Sequence, residues 1–376
     1  MAMEQDVKHL QDLYEGRKAY HGEMHDHAAT GGTSDGKKPL SHWKGAMEAL
    51  QIDFAAILDH RQVRHMYLPE WEDGLFICGS EPGTHISDSK AEVNGIHYNL
   101  IVPNPHALED LLNEFTEYEF TGPKEGSEGH FKYPWFTIER LRELIASLKA
   151  KGGFFVHPHP SHVMQSNDSL DYWFADETGF EVFYYSMDSE YVRRNYKIWT
   201  DILAAGKRIW AIAGGDGHAC CSDGALTTIY AKELSSPGLL DYLRIGDFVC
   251  GPVGIRMCIG DTTMGGKCAF DGGRLVVSVG DFHKSVIAID HKYRMDIITD
   301  QGVIHSEEVA TCKEHHKVVF LKGIQQGPES ISTEESYFAM DVDVSAKFYR
   351  VEVFDETRNL RIAIGNPIWN TKYLED

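Results

Sequence analysis

Between residues 20 and about 235 the chain alternates short apolar runs with longer stretches of helical periodicity, and this alternation constrains the fold more than any other feature. The runs are "FAAIL" (54–58), "LFICG" (75–79), "YNLIV" (98–102), "GFFV" (153–156), "FEVFYY" (180–185) and "IWAIAGG" (209–215). The clearest helical stretch is 137–151, where Ile138, Leu141, Ile145 and Leu148 share a face, Thr137 stands as N-cap and Gly152 follows the end. Residues 41–51, 106–115 and 189–206 repeat the arrangement. Near-continuous apolar runs spaced by helices predict an α/β fold with a parallel sheet, either an open doubly wound sheet or a barrel. Beyond about residue 250 the texture changes. "RLVVSVG", "SVIAIDH", "RMDIITD", "KVVFLKG", "SYFAMDVDV", "KFYRVEVFD" and "LRIAIGNPI" alternate apolar and polar residues between Gly, Asp or Asn turns. That pattern predicts a C-terminal antiparallel β module. The chain thus divides into a helical lead-in (1–19), an α/β region (20–250) and a β-rich region (251–376).

Polar residues recur at the ends of the apolar runs. "FAAIL" leads into Asp59-His60, "LFICGS" into Glu81, "GFFV" into His157-Pro158-His159, and "IWAIAGG" into Asp216-Gly217-His218; ahead of them all stands His25-Asp26-His27. With 20 histidines in 376 residues, about one H-x-H is expected by chance, so neither pair means much alone. In a parallel barrel, however, the carboxyl ends of the strands share one face and converge on one mouth. Four or five ligand-bearing ends in register then place His, Asp and Glu in one pocket. His97 begins its run instead of ending it, and reads equally as a strand-edge histidine. Glu181, inside an apolar run, is either a buried group supporting ligands or an edge carboxylate facing solvent. His21 and Glu23 read as structural. His42, His65, His106, His130 and His162 have no such register and read as surface or capping residues.

No C-x-x-C occurs among these motifs or elsewhere in the chain, which argues against a Cys-rich structural zinc site. Mixed imidazole and carboxylate ligands suit Zn²⁺, Fe²⁺ or Mn²⁺, and there are more of them than one ion can use. Two such ions hold a hydroxide at neutral pH and polarise the oxygen it attacks, which points to a hydrolase. Rival motifs are poor. "GGDG" (214–217) lacks the Lys-Ser/Thr of a phosphate-cradling loop, and "ATGGTSDGKK" lacks the strand–G-x-G-x-x-G–helix order of a dinucleotide site.

Charge narrows the partners. The 36 basic and 57 acidic side chains leave a net −21, which repels phosphate backbones and disfavours nucleic acid. The seven cysteines are odd in number, scattered and without C-x-x-C, as expected of free thiols in a reducing compartment. The N-terminal stretch is charged from residue 4 and no run approaches 18 apolar residues. A cytoplasmic protein with no membrane partner is the expectation.

The ordered motifs resemble those of the PHP (polymerase and histidinol phosphatase) metallohydrolases. "GEMHDH…TSDG" is similar to the first PHP motif, "LDH" to its T-D-H, "GSE" to its glycine-preceded glutamate, "VHPHP" to its third motif and "GGDGH" to its terminal S-D-x-H. The opening "AYHGEMHDH" and the ending "YRVEVFDETRNLRIAIGNPIW" also resemble the carbamate-hydrolase-like CehA/McbA branch. The resemblance implies a distorted seven-stranded, TIM-like β/α barrel that binds two or three divalent ions, Zn, Fe or Mn. Carried across residue by residue, His25, His27, Glu81 and Asp216 hold the first ion. Glu81, His97 and His157 hold the second, and Asp35, His60 and His218 the third. His159 either substitutes for His157 or faces substrate. The loop from His27 to Asp35 is longer than usual in the family; Leu58 and Gly215 replace a threonine and a serine that are not ligands.

The leading expectation is a phosphoesterase acting on a small phosphorylated substrate through a metal-bridging hydroxide. Asp216 is essential in that scheme, Arg61 grips the phosphoryl oxygens with Lys37 and Lys38 behind it, and His159 serves as leaving-group acid. The same ligands suit a carboxylic or carbamate ester or an amide. A third reading is a metal-stabilised binding module without catalysis. Under any of these readings three roles are open to the C-terminal module: capping the site, mediating a homo-oligomer or binding something separate.

Overall fold

A computed structural model describes residues 2–88, 95–122, 130–219, 224–287, 291–309 and 335–374. Helix α1 (Ala2–Leu13) precedes strand β1 (Lys18–Asp26), which is exposed at Lys18 and fully buried from Gly22 onward. Then follow α2 (Leu40–Leu50), β2 (Phe54–Ile57), β3 (Phe76–Ile77), β4 (Gly79–Ser80), β5 (Gly83–Ile86), β6 (Ile96–His97), β7 (Asn99–Ile101) and α3 (Pro105–Glu114). The second half of the α/β region contains β8 (Trp135–Phe136), α4 (Ile138–Ala150), β9 (Phe154–His157), α5 (Pro160–Val163), β10 (Thr178–Tyr184) and α6 (Glu190–Ala204). It closes with β11 (Ile209–Gly214), β12 (Thr227–Ala231), α7 (Ser236–Leu243) and β13 (Phe248–Cys250).

Local chemistry explains these elements. The Thr137 hydroxyl accepts from the Arg140 N–H at 3.1 Å and starts α4, which buries Leu141, Leu144, Ile145 and Leu148. Gly152, at φ +80°, turns the chain out of it. β10 and β11 are buried at every residue, as strands covered on both faces must be.

Two sheets carry the α/β region. In one, β3, β2 and β1 run parallel and β12 adds antiparallel to β1. In the other, the order is β11-β10-β9-β7-β4. β9, β10 and β11 are parallel, but β7 runs antiparallel to both β4 and β9. The parallel expectation fails at β7 because β5, which follows β4 directly, and β6, which leads directly into β7, pair antiparallel as a hairpin, so the chain comes back alongside β4. Single bridges link the sheet edges, Asp26 with Gly217 and His60 with Glu81. The described residues therefore form a mixed α/β array of several sheets. No continuous ladder closes it into the seven-stranded barrel that the resemblance implies.

The β-rich region is continuous with this array. After Gly254–Ile259 (β14) come the short β15 (Thr262–Thr263) and β16 (Lys267–Cys268), and an antiparallel sheet joins β14 to Arg274–Gly280 (β17) and that to Ser336–Asp341 (β20). Tyr293–Thr299 (β18) pairs with Gly302–Val309 (β19) on one side and with Phe348–Asp355 (β21) on the other; β21 pairs with Leu360–Gly365 (β22), and β22 with β13. Hydrogen bonding thus runs from β22 through β13 and β12 to β1, across the change of texture near residue 250. Buried Glu352 accepts from Tyr196 Oη on α6 at 2.7 Å and from Arg361 at 2.7 Å, and pairs with Arg350. Asn366 Oδ1 accepts from the Ala211 N–H of β11 at 2.8 Å. These bonds pin the C-terminal strands to the α/β region.

Of "SVIAIDH", residues 285–287 form turn and coil, and the rest up to 290 lies outside the described residues, as does "KVVFLKG". Cys220, Cys221 and Cys312 also lie outside them; Cys78, Cys250, Cys258 and Cys268 are free thiols. Among the described residues, no helix is long and apolar enough to cross a membrane.

Candidate metal centre

The carboxyl ends of β1, β2, β4, β9 and β11 meet around Glu81, which is fully buried. Its Oε2 stands 3.2 Å from His25 Nε2, 3.1 Å from His27 Nε2 and 3.1 Å from His60 Nδ1. Its Oε1 stands 2.9 Å from both His97 Nδ1 and His159 Nε2. Asp216 Oδ1 lies 3.2 Å from His27 Nε2 and 3.7 Å from His25 Nε2. Asp35 Oδ1 lies 3.0 Å from His218 Nε2 and 3.6 Å from His60 Nε2. Three overlapping groups of converging ligand atoms result: His25, His27, Glu81 and Asp216; His60, Glu81 and His97; and His27, His60 and His218.

Backbone geometry at the sheet seams assembles this cluster. The His27 N–H donates to the Gly217 carbonyl at 2.8 Å, which sets the β1 end beside the Asp216-Gly217-His218 turn. The Glu81 N–H donates to the Leu58 carbonyl at 2.9 Å, and the Arg61 N–H to the Glu81 carbonyl at 3.3 Å. Four non-glycine residues just past strand ends adopt positive φ: Arg61 at 48°, His159 at 32°, Tyr185 at 70° and Asp216 at 51°. Each such residue costs about 1–3 kcal/mol, and the strain is concentrated around the cluster.

His157 departs from its expected place. Its Nδ1–H donates to the Tyr172 carbonyl at 3.2 Å, and its ring packs against Phe174 and Phe180, among buried aromatics. Burial pushes its pKa down to about 3. His159, two residues on, faces Glu81 instead, because the left-handed backbone at His159 reorients the chain as it leaves β9.

Glu181 proves to be an inward carboxylate, 1% exposed. It accepts from His25 Nδ1–H at 3.2 Å and from the His159 backbone N–H at 2.5 Å. A Cβ on Gly214 would fall 2.1 Å from Glu181 Oε1 and 2.8 Å from the His25 Cβ, so only glycine leaves room for that carboxylate. One contributor escaped the sequence reading, and His162, read there as a surface or capping residue, supports it. The Tyr184 hydroxyl donates to Asp216 Oδ2 at 3.1 Å and accepts from His162 Nδ1–H at 3.1 Å. The signal for Tyr184 was its place at the carboxyl end of an apolar run, the same place that marked the acidic candidates. Gly32-Thr33-Ser34-Asp35-Gly36 has the G-x-S-x-G spacing of a serine-hydrolase elbow. Ser34, however, sits on a loop with its hydroxyl tied to the Ala28 carbonyl at 2.5 Å.

Electrostatics follow the geometry. Burial alone would raise the Glu81 pKa, but His25, His97 and His60 outweigh it and hold the carboxyl well below its usual range. Asp216 is depressed in the same way, burial being overcome by His25 and by the adjacent His27. Burial opposes charge on His27, yet the neighbouring Asp216 and Glu81 carboxylates lift it to about 9. Burial lowers His60. Arg61 lies close enough to Tyr133 for its charge to act on that hydroxyl, and Lys37 and Lys38 are exposed.

The residues present fit divalent ions. His25 Nε2, His27 Nε2 and Glu81 Oε2 are buried, lack hydrogen-bond partners and converge on one another. Buried polar atoms are rarely left so. Three nitrogen or oxygen donors around a shared point suit Zn, Fe or Mn. The Glu181–His25 bond is the carboxylate–imidazole support that metal-bound histidines characteristically have.

No family model and no curated protein matches the chain. It is similar to several solved structures. An amidohydrolase from Chromobacterium violaceum has a TM-score of 0.36 at 16% identity, over 53% of this chain and 87% of that one. A protein assigned as a metal-dependent phosphoesterase from Bifidobacterium adolescentis has 0.33 at 18%, over 52% and 87%. The lesion-specific Endonuclease Q from Pyrococcus furiosus has 0.42 at 13%, over 61% and 57%. Each of these likenesses is below 20% identity and covers between half and two thirds of this chain.

Proposed function

We propose that the chain is a metal-dependent hydrolase of the PHP type that cleaves a small phosphate ester, residues 20–250 carrying the chemistry and 251–376 supporting them. The observation that carries this reading is the convergence of five imidazoles on one buried carboxylate, with Asp216 beside it. His25, His27, Glu81 and Asp216 would hold one ion; His60, Glu81, His97 and His159 a second; and Asp35, His60 and His218 a third. When bound, such ions supply Lewis acidity and a nucleophilic water at neutral pH.

The chain's own groups do the rest. Glu81 serves two ligand groups at once, because its two oxygens face different histidines. Glu181 fixes the tautomer and angle of His25 and the backbone of His159. Tyr184 grips one oxygen of Asp216 and leaves the other directed at His25 and His27. Arg61 meets the non-bridging oxygens of the phosphoryl group, where a fixed guanidinium is most effective. His159 is reassigned from leaving-group acid to ligand, since its Nε2 is committed to Glu81.

The test is elemental analysis of the purified protein followed by a panel of nitrophenyl phosphates, phosphodiesters, carboxylic and carbamate esters and a lesion-bearing DNA duplex. Two to three equivalents of metal, with turnover confined to phosphate esters and lost in Asp216→Asn without unfolding, supports the reading. Turnover confined to carbamate or carboxylic esters moves the activity to that class. Bound metal with no turnover of any substrate favours a binding module. Cleavage of the duplex would show that the charge of −21 does not exclude DNA.

A further inference from the structure

The three-stranded sheet β6-β5-β8 leads away from Glu81 and has two unlike faces. Gly83 pairs with His97, and His85 with Trp135, so these four positions share one side, because strand side chains alternate with a period of two. Ile86 and Ile96 point to the other side, where with Ile138, Met164, Phe174 and the carboxylates Asp88 and Asp171 they line a separate cavity.

On the first side, rings follow one another outward from the metal centre. His97, at 2.9 Å from Glu81, meets Tyr133 edge-on with 6.3 Å between ring centres. Tyr133 meets His85 at 4.7 Å, and His85 stacks on Trp135 at 4.4 Å with 25° between the planes. Tyr133 is locked in place. Its hydroxyl donates to the Ile96 carbonyl at 3.0 Å, and a Cβ on Gly83 or Gly95 would fall 2.0 or 2.5 Å from its atoms. The strip is open at its far end, where Trp135 is 67% exposed. Packing needs no exposed indole on a two-residue strand, and a rigid aromatic surface continuous with a reactive centre is suited to stacking a flat ring.

We propose that this strip is a substrate subsite for a planar aromatic group, which packs along Tyr133 and Trp135 while its ester lies at Glu81. The inference rests on the hydrolase reading and narrows it to esters whose leaving group bears an aromatic ring, an aryl group or a nucleobase.

Calorimetric binding to the metal-loaded full chain tests it without turnover, using methylphosphonate, 1-naphthylmethylphosphonate, an adenosine phosphonate and 2-naphthol. Aromatic stacking predicts that the naphthyl phosphonate binds about tenfold tighter than methylphosphonate. That ratio should fall towards one in Trp135→Ala and be kept in Trp135→Tyr, with circular dichroism confirming the fold. A wild-type ratio near one, or a ratio unchanged in Trp135→Ala, overturns the subsite. Failure of methylphosphonate to bind counts against the phosphate reading instead, and the strip is then judged on 2-naphthol alone. Binding of 2-naphthol that weakens in Trp135→Ala supports the strip, and no binding overturns it. The adenosine compound separates a nucleobase from a simple aryl preference.

Discussion

Replacing Glu181 with glutamine exchanges one oxygen for an amide nitrogen and should weaken metal binding without dismantling the fold. Two donors converge on this carboxylate, the His25 ring N–H at 3.2 Å and the His159 backbone N–H at 2.5 Å. A carboxamide has one acceptor oxygen, so Glu181→Gln satisfies one donor and presents an N–H₂ to the other. If the oxygen stays with the shorter bond, His25 loses the partner that holds its Nε2 towards Glu81 and Asp216. A hydrogen bond to a charged group is worth about 1.5–3 kcal/mol, and loss of a partner behind a metal-bound histidine costs about 10–100-fold in affinity. The two figures overlap near 2 kcal/mol, or about 30-fold. The assay is competition for Zn²⁺ or Mn²⁺ between the apo-protein and a chromophoric chelator, with the urea midpoint measured in parallel. A wild-type metal affinity in Glu181→Gln, and again in Glu181→Ala, would refute the claim that this carboxylate orients the centre. Equal losses in affinity and folding stability would assign it a structural role only.

The exchange between His157 and His159 gives a second test. His159→Ala should lower the metal content measured by elemental analysis, whereas His157→Leu should keep it and lose only about 1 kcal/mol of stability from the Tyr172 hydrogen bond; the reverse pattern would restore His157 as the ligand. A third test concerns pH. His21 and His283 face each other across the join between β1 and the segment after β17, and burial lowers their pKa values to about 3 and about 4. Both are neutral when folded and protonate more readily when unfolded. Their contribution is therefore complete above about pH 6.5 and is lost as pH falls towards those values, by about 2 kcal/mol each at pH 5. His283→Asn should shrink the pH 7 to pH 5 loss in denaturant stability by about that amount, and an unchanged loss would count against the assignment. Finally, Glu352→Ala leaves Arg350 and Arg361 without their buried partner and should cost about 3–5 kcal/mol in urea melts. A cost under 1 kcal/mol would mean that the two regions are joined by other contacts.

Much of the frame was legible in the chain. The apolar runs at 54–58, 153–156, 180–185 and 209–215 became β2, β9, β10 and β11, because a strand buried on both faces needs an unbroken apolar run and little else satisfies one. The helix at 138–150 announced itself by period, cap and terminal glycine, all of them local properties. Polar residues at the ends of such runs marked His60, Glu81, Asp216 and His218 before any contact was known, and the H-x-H pair ahead of the runs marked His25 and His27. They gather around one carboxylate because strand ends that share a direction also share a face.

What stayed hidden depends on how distant segments meet. Period-two reasoning puts His157 and His159 on the same side, and nothing in "VHPHP" reveals that His159 takes φ +32° while His157 turns into a cage of aromatic rings. Strand direction at β7, the bridges between sheet edges and the passage of hydrogen bonding from β13 to β22 are set by pairing, to which an apolar pattern is indifferent. The two roles open to Glu181 were separated only by the small side of Gly214 and the donors opposite it. Local pattern was enough to locate the residues that end the strands and the helices that lie between them. Which of those residues touch was legible only in the folded chain, because contact depends on backbone direction and on what the neighbouring strand leaves empty.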